Sequence, residues 1–522
     1  MDDNTYMNDL AYISDNPPVK PKRTYESFES AYAWMCVFLG YLFCRAFPPI
    51  THPLGFFIVN LLCVSASFFV LSKKGLKFDI ISILSAVLSL VFAFSYVVTD
   101  DFFVGFFTFI CSFVFYCYFI YSASGNSTKN SNRDILPIEF IRAMKSTGFG
   151  RVFSAISARK NKGFKSFLKI ALGLFVAIIP TVIIIGLLSY DSEFLRMIIK
   201  VLKWIFEINL FSHLLSIAFG LVIAMFLYGL FWANSEPREP LNYDKFSESA
   251  KKLRIAPALT VAAALFPMVA VYVIFFISQR YYYVSAFTGV LPSGVESYAE
   301  YARNGFFELC AVSAINLVAL IVVSVFLRRN NTAQSVFLKV VTIIVSLMTL
   351  VLIGTAMSKM ALYIKEYGLT QKRVLSSWFM VLLALVFILI ILSQFISKIK
   401  LVSTCTAVVI AMTALLGLSN YKTIIADYNV ERYISGESEN LDAIALANLG
   451  PSAVPAMTRL AEYWDEQFET PVYYGHEYIH KSLWQQKEKM SQKEGVFAFS
   501  IPNQRAKTAL EAYYEKHPLH IA

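Results

Sequence analysis

The sequence predicts an all-α integral membrane protein, a bundle of about eleven transmembrane helices followed by a small helical soluble C-terminal domain. Three observations predict it. Of the 522 residues, 16% are charged and 57% hydrophobic, with a mean hydropathy of +0.56; a soluble domain carries about a quarter charged residues. The apolar excess falls in discrete runs near the roughly 20 residues a helix needs to cross a bilayer. Those runs stop at Asn420, and 419–522 is polar with helical periodicity.

Residues 1–29 set Pro17, Pro18 and Pro21 beside Lys20, Lys22 and Arg23, the composition of a disordered cytoplasmic tail. Apolar runs at 30–46, 53–72, 79–98 and 102–122 have short linkers and predict two antiparallel hairpins, a four-helix N-terminal membrane segment over 30–122. No A-x-A-like site follows the first run, so a cleavable signal peptide is not expected.

The segment 123–165 changes character. Ile138, Ile141, Met144, Val152, Phe153 and Ile156 recur near helical spacing among Arg142, Lys145, Arg151, Arg159, Lys160, Lys162 and Lys165. This predicts a basic amphipathic helix in the inner interface, with anionic lipid headgroups as its partner over 138–165. An ordinary basic cytoplasmic loop is the other reading.

The membrane core spans 166–418, with runs at 166–189, 211–233, 256–278, 305–327, 336–358, 377–396 and 401–418. Between the first two of these, 192–207 carries Arg196, Lys200, Lys203 and Glu207 as one polar stripe. At that length it reads as a helix lying in the interface. The loop 279–304 caps two spans on one side: Tyr281, Tyr282 and Tyr283 suit the bilayer interface, and Gly289, Pro292 and Gly294 mark a turn.

Lysine and arginine placement sets the orientation. With the N-terminus inside, cytoplasmic segments of the first half hold Lys20, Lys22 and Arg23, then Lys73, Lys74 and Lys77, then ten bases from Lys129 to Lys169. The opposite side holds Arg45 alone. An odd span count then places the C-terminal domain outside; it would move inside if 192–207 crossed. The net charge of +10 is spent in these loops, and the aromatics lie mostly in apolar runs, so nucleic-acid binding is excluded. Cys36, Cys44, Cys63, Cys111, Cys117, Cys310 and Cys405 all lie in or beside apolar runs, which predicts packing residues and no disulfide framework.

Two constellations carry possible chemistry. Asn304, Glu308 and Asn316 form a slanting polar row entering a span; ionisable groups there often mark a pathway, and helix–helix hydrogen bonding is the plainer use. His476-Glu477-Tyr478-Ile479-His480 matches H-E-x-x-H, in which both imidazoles hold zinc and the Glu activates water. Lys481 is charged where that motif wants an uncharged residue, and Glu488, Glu494, His517 and His520 lack the spacing of a third ligand. His476 and His480 also share their face with Leu483 and Trp484, so a packing face is the other reading. No P-loop, dinucleotide fingerprint or G-x-S-x-G elbow is present.

The stretch Ser297-Tyr298-Ala299-Glu300-Tyr301-Ala302-Arg303-Asn304-Gly305-Phe306-Phe307-Glu308-Leu309 resembles bacterial polytopic membrane proteins of the domain-of-unknown-function 4173 and 4153 groups. Asn429-Val430-Glu431-Arg432-Tyr433, Leu441-Asp442 and Leu449-Gly450-Pro451-Ser452-Ala453-Val454-Pro455-Ala456 resemble the signature that opens their post-membrane tail. The resemblance implies a multi-pass protein of the bacterial cytoplasmic membrane and no particular activity or catalytic residue. Three function classes follow: a non-enzymatic transport-like or envelope-scaffold module, a signal-sensing membrane protein, and a zinc-dependent membrane hydrolase using His476, Glu477 and His480.

Overall fold

The structure is a computed structural model. It describes residues 25–127, 136–158, 210–235, 251–278, 306–328, 332–467, 474–491 and 495–517, with single positions between 173 and 200 and at 248. The expected spans 166–189 and 192–207, the tail before Tyr25 and the loop 279–304 lie outside the described residues, those single positions apart.

Numbered in chain order, the described helices of the membrane part are α1 Ser27–Ala46, α2 Pro53–Lys73, α3 Ile80–Val98, α4 Phe102–Ala123, α5 Leu136–Ala143, α6 Arg151–Ala158, α7 Leu210–Ser235, α8 Ala258–Ser278, α9 Phe306–Phe326, α10 Thr332–Tyr367, α11 Gln371–Phe395 and α12 Leu401–Leu418. Ten helices among the described residues are long and apolar enough to cross a membrane. The fold is an all-α membrane bundle, and the protein is multi-pass. Helices dominate because a lipid-exposed segment must satisfy its own backbone N–H and C=O groups.

Helix ends follow local chemistry. The side chains of Asp79 and Asp101 accept from Ser82 N at 3.2 Å and Val104 N at 2.9 Å, capping α3 and α4. Gly40 of α1 and Gly220 of α7 let two helix backbones touch, since a Cβ on either would meet the other's backbone. Aromatic packing fills the rest of this half: Tyr32, Phe56, Phe119, Tyr121, Tyr228 and Phe231 are fully buried.

Two expectations are corrected. Of the amphipathic helix expected over 138–165, the described part to Ala158 is two short helices, α5 and α6, separated by 144–150, where Gly148 has a φ of +76° that suits a residue without a Cβ. Part of their apolar surface packs on protein: Ala143, Val152, Ala155 and Ile156 are buried, Glu139 accepts a 2.7 Å hydrogen bond from Tyr118, and Arg151 lies over the Trp232 ring at 4.4 Å, while Ile141 is exposed. The span expected at 336–358 is the middle of α10, which continues to Tyr367 beyond its apolar stretch.

The ends of the bundle are distinguishable. At one, Lys74 pairs with Glu29 at 3.7 Å and donates to Ser235 at 3.1 Å. At the other, Arg45 donates to Ser212 at 3.0 Å. α7 therefore starts where α1 ends and runs antiparallel to it.

A helical domain follows α12: α13 Tyr421–Ile434, α14 Ala443–Ala447, a 3₁₀ turn Gly450–Ala453, α15 Val454–Gln467, α16 Tyr474–Ser491, a second 3₁₀ turn Val496–Ala498, and α17 Ile501–Lys516. Its core is Ile425, Val430, Leu446, Met457, Leu460, Trp464, Ile479, Leu483 and Leu510. It docks on one end of the bundle. Lys422 reaches Asp100 at 3.3 Å and Asp101 at 3.5 Å in the α3–α4 turn. Ser452 donates to Asp100 at 3.2 Å and to Asn420 at 3.1 Å. Asn429 accepts from Leu369 N at 2.7 Å and donates to Leu369 O at 2.8 Å, and Arg432 donates to Lys365 O at 2.6 Å, just past and within the last turn of α10. Phe497 lies against Gly55 in the first turn of α2.

The side chains of Lys422, Asp100 and Asp101 are 10%, 17% and 11% exposed, so none is fully solvated. Removing the lysine leaves two carboxylates facing each other. Lys422→Met is expected to destabilise the docked state by about 1–3 kcal/mol, below the roughly 3–5 kcal/mol of a fully buried pair. Thermal unfolding of the detergent-solubilised protein checks this, with Lys422→Arg keeping most of the stability.

Candidate metal centre in the C-terminal domain

His476 and His480 stand one turn apart on α16, both on the face toward α15. Opposite them is Asp465, in the last turn of α15. His476 Nε2 lies 2.9 Å from Asp465 Oδ1, and His480 Nε2 lies 3.2 Å from the same oxygen and 3.2 Å from His476 Nε2. These three residues form a cluster whose ligand atoms all lie within 4.8 Å of one another.

The triangle has the size of a coordination face. Four ligands at 2.0–2.1 Å around a tetrahedral zinc ion set donor–donor edges of about 3.3 Å. The observed edges of 2.9 and 3.2 Å are close to that. Electrostatics favour a cation here as well. Asp465 is a carboxylate in a helix's C-terminal turn, where the aligned peptide dipoles are already negative. Burial pushes the His480 imidazole below the ordinary histidine value, and the Asp465 carboxylate only partly opposes this. His480 is therefore neutral near pH 7, the form that ligates metal.

A second layer orients the first. Tyr513 of α17 sits with its hydroxyl 3.1 Å from His480 Nδ1 and 3.3 Å from Asp465 Oδ2. Nδ1–H of His480 donating to the hydroxyl, and the hydroxyl donating to the carboxylate, satisfies all three groups and leaves His480 Nε2 as a bare acceptor. Such outer partners fix the tautomer and direction of a ligating histidine. Burial and the Asp465 charge raise the Tyr513 pKa, so the hydroxyl keeps its proton to donate. The His517 ring stacks on Tyr513 at 4.8 Å, and its Nδ1 is 4.0 Å from Asp465 Oδ2. On the inner side, the Trp464 ring lies 5.8 Å from His476, and its indole donates to Tyr433 of α13 at 3.2 Å. The side chains of His476, Asp465 and His480 are 12%, 27% and 33% exposed, so an ion can enter from solvent.

Of the residues singled out in sequence, His476 and His480 come together and Glu477 is exposed on another face of α16. The residue that completes this cluster and that the sequence reading missed is Asp465, on the preceding helix. Of the intramembrane row, Asn304 lies outside the described residues. Glu308 is exposed at the start of α9, within electrostatic reach of Lys359 of α10. Asn316 is fully buried two turns deeper; it accepts from Tyr272 of α8 and donates to Thr349 of α10 at 2.8 Å. Asn316 thus joins three helices, and it stands apart from Glu308.

A family model described as a domain of unknown function, DUF4153, matches residues 83–460. The chain belongs to the DUF4153 family. The match covers the membrane bundle from α3 onward, with α13, α14 and the first half of α15, and ends before Asp465. Asn429, Arg432 and Ser452, all within the matched residues, are among those that dock the domain on the bundle. No curated protein and no solved structure matches the chain.

Tyr513→Phe removes the hydroxyl that links His480 to Asp465 and leaves the ligands in place. It is expected to weaken zinc binding about tenfold, the lower end for loss of an outer-shell partner, as read by competition with a chromogenic chelator.

Proposed function

We propose that this is a multi-pass protein of the bacterial cytoplasmic membrane whose extracytoplasmic C-terminal domain binds a divalent transition-metal ion, zinc foremost, and reports its occupancy to the bundle. The observation that carries the reading is the convergence of Asp465, His476 and His480 from two helices at coordination distances. Two imidazoles and a carboxylate suit zinc, with copper and nickel as chemical competitors.

Binding rather than hydrolysis fits the exposed Glu477, which does not join the triad as a general base would. Among the classes open from sequence, this favours sensing. The transport-like reading rested on the row Asn304, Glu308 and Asn316, of which the two described members, Glu308 and Asn316, stand apart. A contact route supports sensing: His476 to Trp464, Trp464 to Tyr433 of α13, and α13 to the end of α10 through Asn429 and Arg432. The outside placement is supported by charge. The domain docks at the end of the bundle opposite Lys73, Lys74 and Lys77, and the basic end is the cytoplasmic one. At that basic end, Arg142, Lys145 and the exposed Ile141 are the residues we assign to anionic headgroups.

Purified full-length protein, stripped with chelator and dialysed against zinc, is expected to retain one equivalent per chain. Asp465→Asn and His476→Ala lose it and Glu477→Gln keeps it. Zinc at a hundredfold excess over Kd adds about 2.7 kcal/mol to the stability of the bound state, read as an upward shift in unfolding temperature absent from the ligand variants. Retention of the equivalent in both ligand variants overturns the reading.

A further inference from the structure

Between the end of α16, the Val496–Ala498 turn and α17 lies a cleft of 820 Å³, within the range of small-ligand sites. One wall is apolar: Met490, Phe499 and Leu510 line it. Its floor is Leu54, in the first turn of the membrane helix α2. That residue sets the depth of the cleft, since α2 enters the hydrocarbon from its Pro53 end. The rim carries Lys487 and Lys507. Lys487 Nζ lies 4.1 Å above the Tyr514 ring, and Lys507 pairs with Glu511, which also lines the cleft, at 4.0 Å with both side chains more than 60% exposed, a solvent-screened pair that leaves the ammonium able to meet an anion.

A second observation places the same feature at the bilayer. Val496, Phe497 and Phe499 are 72%, 57% and 41% exposed on one turn, and Phe497 rests on Gly55 of α2. Three large apolar side chains on a single turn are costly in water and suit the boundary between headgroups and acyl chains. Below them, α2 presents Leu61, Leu62, Phe68 and Phe69 to its surroundings, two apolar pairs with Ser65 between them, leading away from the cleft.

We propose that the cleft seats the headgroup and glycerol region of an anionic phospholipid from the adjoining leaflet, with Lys487 and Lys507 facing the phosphate and the acyl chains descending along α2. A soluble anion would gain nothing from the Leu54 floor or the Phe499 wall. A neutral amphiphile would gain nothing from the two lysines. The phospholipid uses both, and lysine holds phosphate as a point charge. This site is separate from the metal centre and does not depend on it.

The test uses full-length protein in liposomes containing phosphatidylglycerol with a photoactivatable group near its headgroup. Crosslinks are mapped by peptide, and crosslinks on α8 and α9 serve as the internal control. The wild type is expected to label the peptide Lys487–Glu511 more strongly with this lipid than with the matching phosphatidylcholine. The K487Q/K507Q variant is expected to lose about tenfold of that labelling while its control crosslinks and its zinc equivalent stay unchanged. Equal labelling by the two lipids, or unchanged labelling in the variant, overturns the proposal. Displacement of the label by inorganic phosphate at equal concentration also overturns it, because the site would then belong to a free anion.

Discussion

Lys422 sits between Asp100 and Asp101 where the soluble domain meets the bundle, and the placement of everything beyond α12 depends on that contact. Three partly exposed charges are paired in a region that also holds Ser452 and Asn420. An ammonium flanked by two carboxylates has a defined position, because leaving either carboxylate alone in a poorly solvated crevice is costly. The contact therefore acts as a register pin. It seats α13 on the α3–α4 turn, and Asn429 and Arg432 then meet the end of α10. Gly368, with φ +72°, makes room there, since a Cβ at that position would strike the Asn429 side chain.

This arrangement gives the segments 429–433 and 449–456 a physical meaning. Asn429, Arg432 and Ser452 bind backbone or side chains of the bundle, so they are docking residues. The candidate triad of Asp465, His476 and His480 lies past the matched residues, on α15 and α16. The distance from triad to bundle is bridged by packed aromatics, with Trp464 between His476 and Tyr433.

Much of the fold was legible because its strongest signal is compositional. A run of apolar residues of spanning length has one solution in lipid, and the observed helices α1 to α4, α7 to α9, α11 and α12 lie within a few residues of the expected runs. Failures came where burial was by protein instead of lipid. The periodicity of 138–165 read either as an interfacial helix or as a basic loop; in the described part Val152 and Ile156 are buried against protein while Ile141 stays exposed, and the chain leaves the helix between Ala143 and Arg151. The metal centre was half legible. His476 and His480 share a helix, so spacing alone pairs them. Asp465 and Tyr513 come from other helices, and only the packing of α15 and α17 on α16 brings them near. Asn316 and Glu308 show the reverse: one helix and one row, yet two turns of depth give them different neighbours.

The most direct measurement is X-ray absorption at the zinc edge on the zinc-loaded full-length protein. The account predicts a first shell of nitrogen and oxygen near 2.0–2.1 Å, with outer-shell scattering from two imidazoles that falls to one in His480→Ala. A shell without imidazole scattering, or one unchanged when His476 and His480 are both replaced, would contradict it.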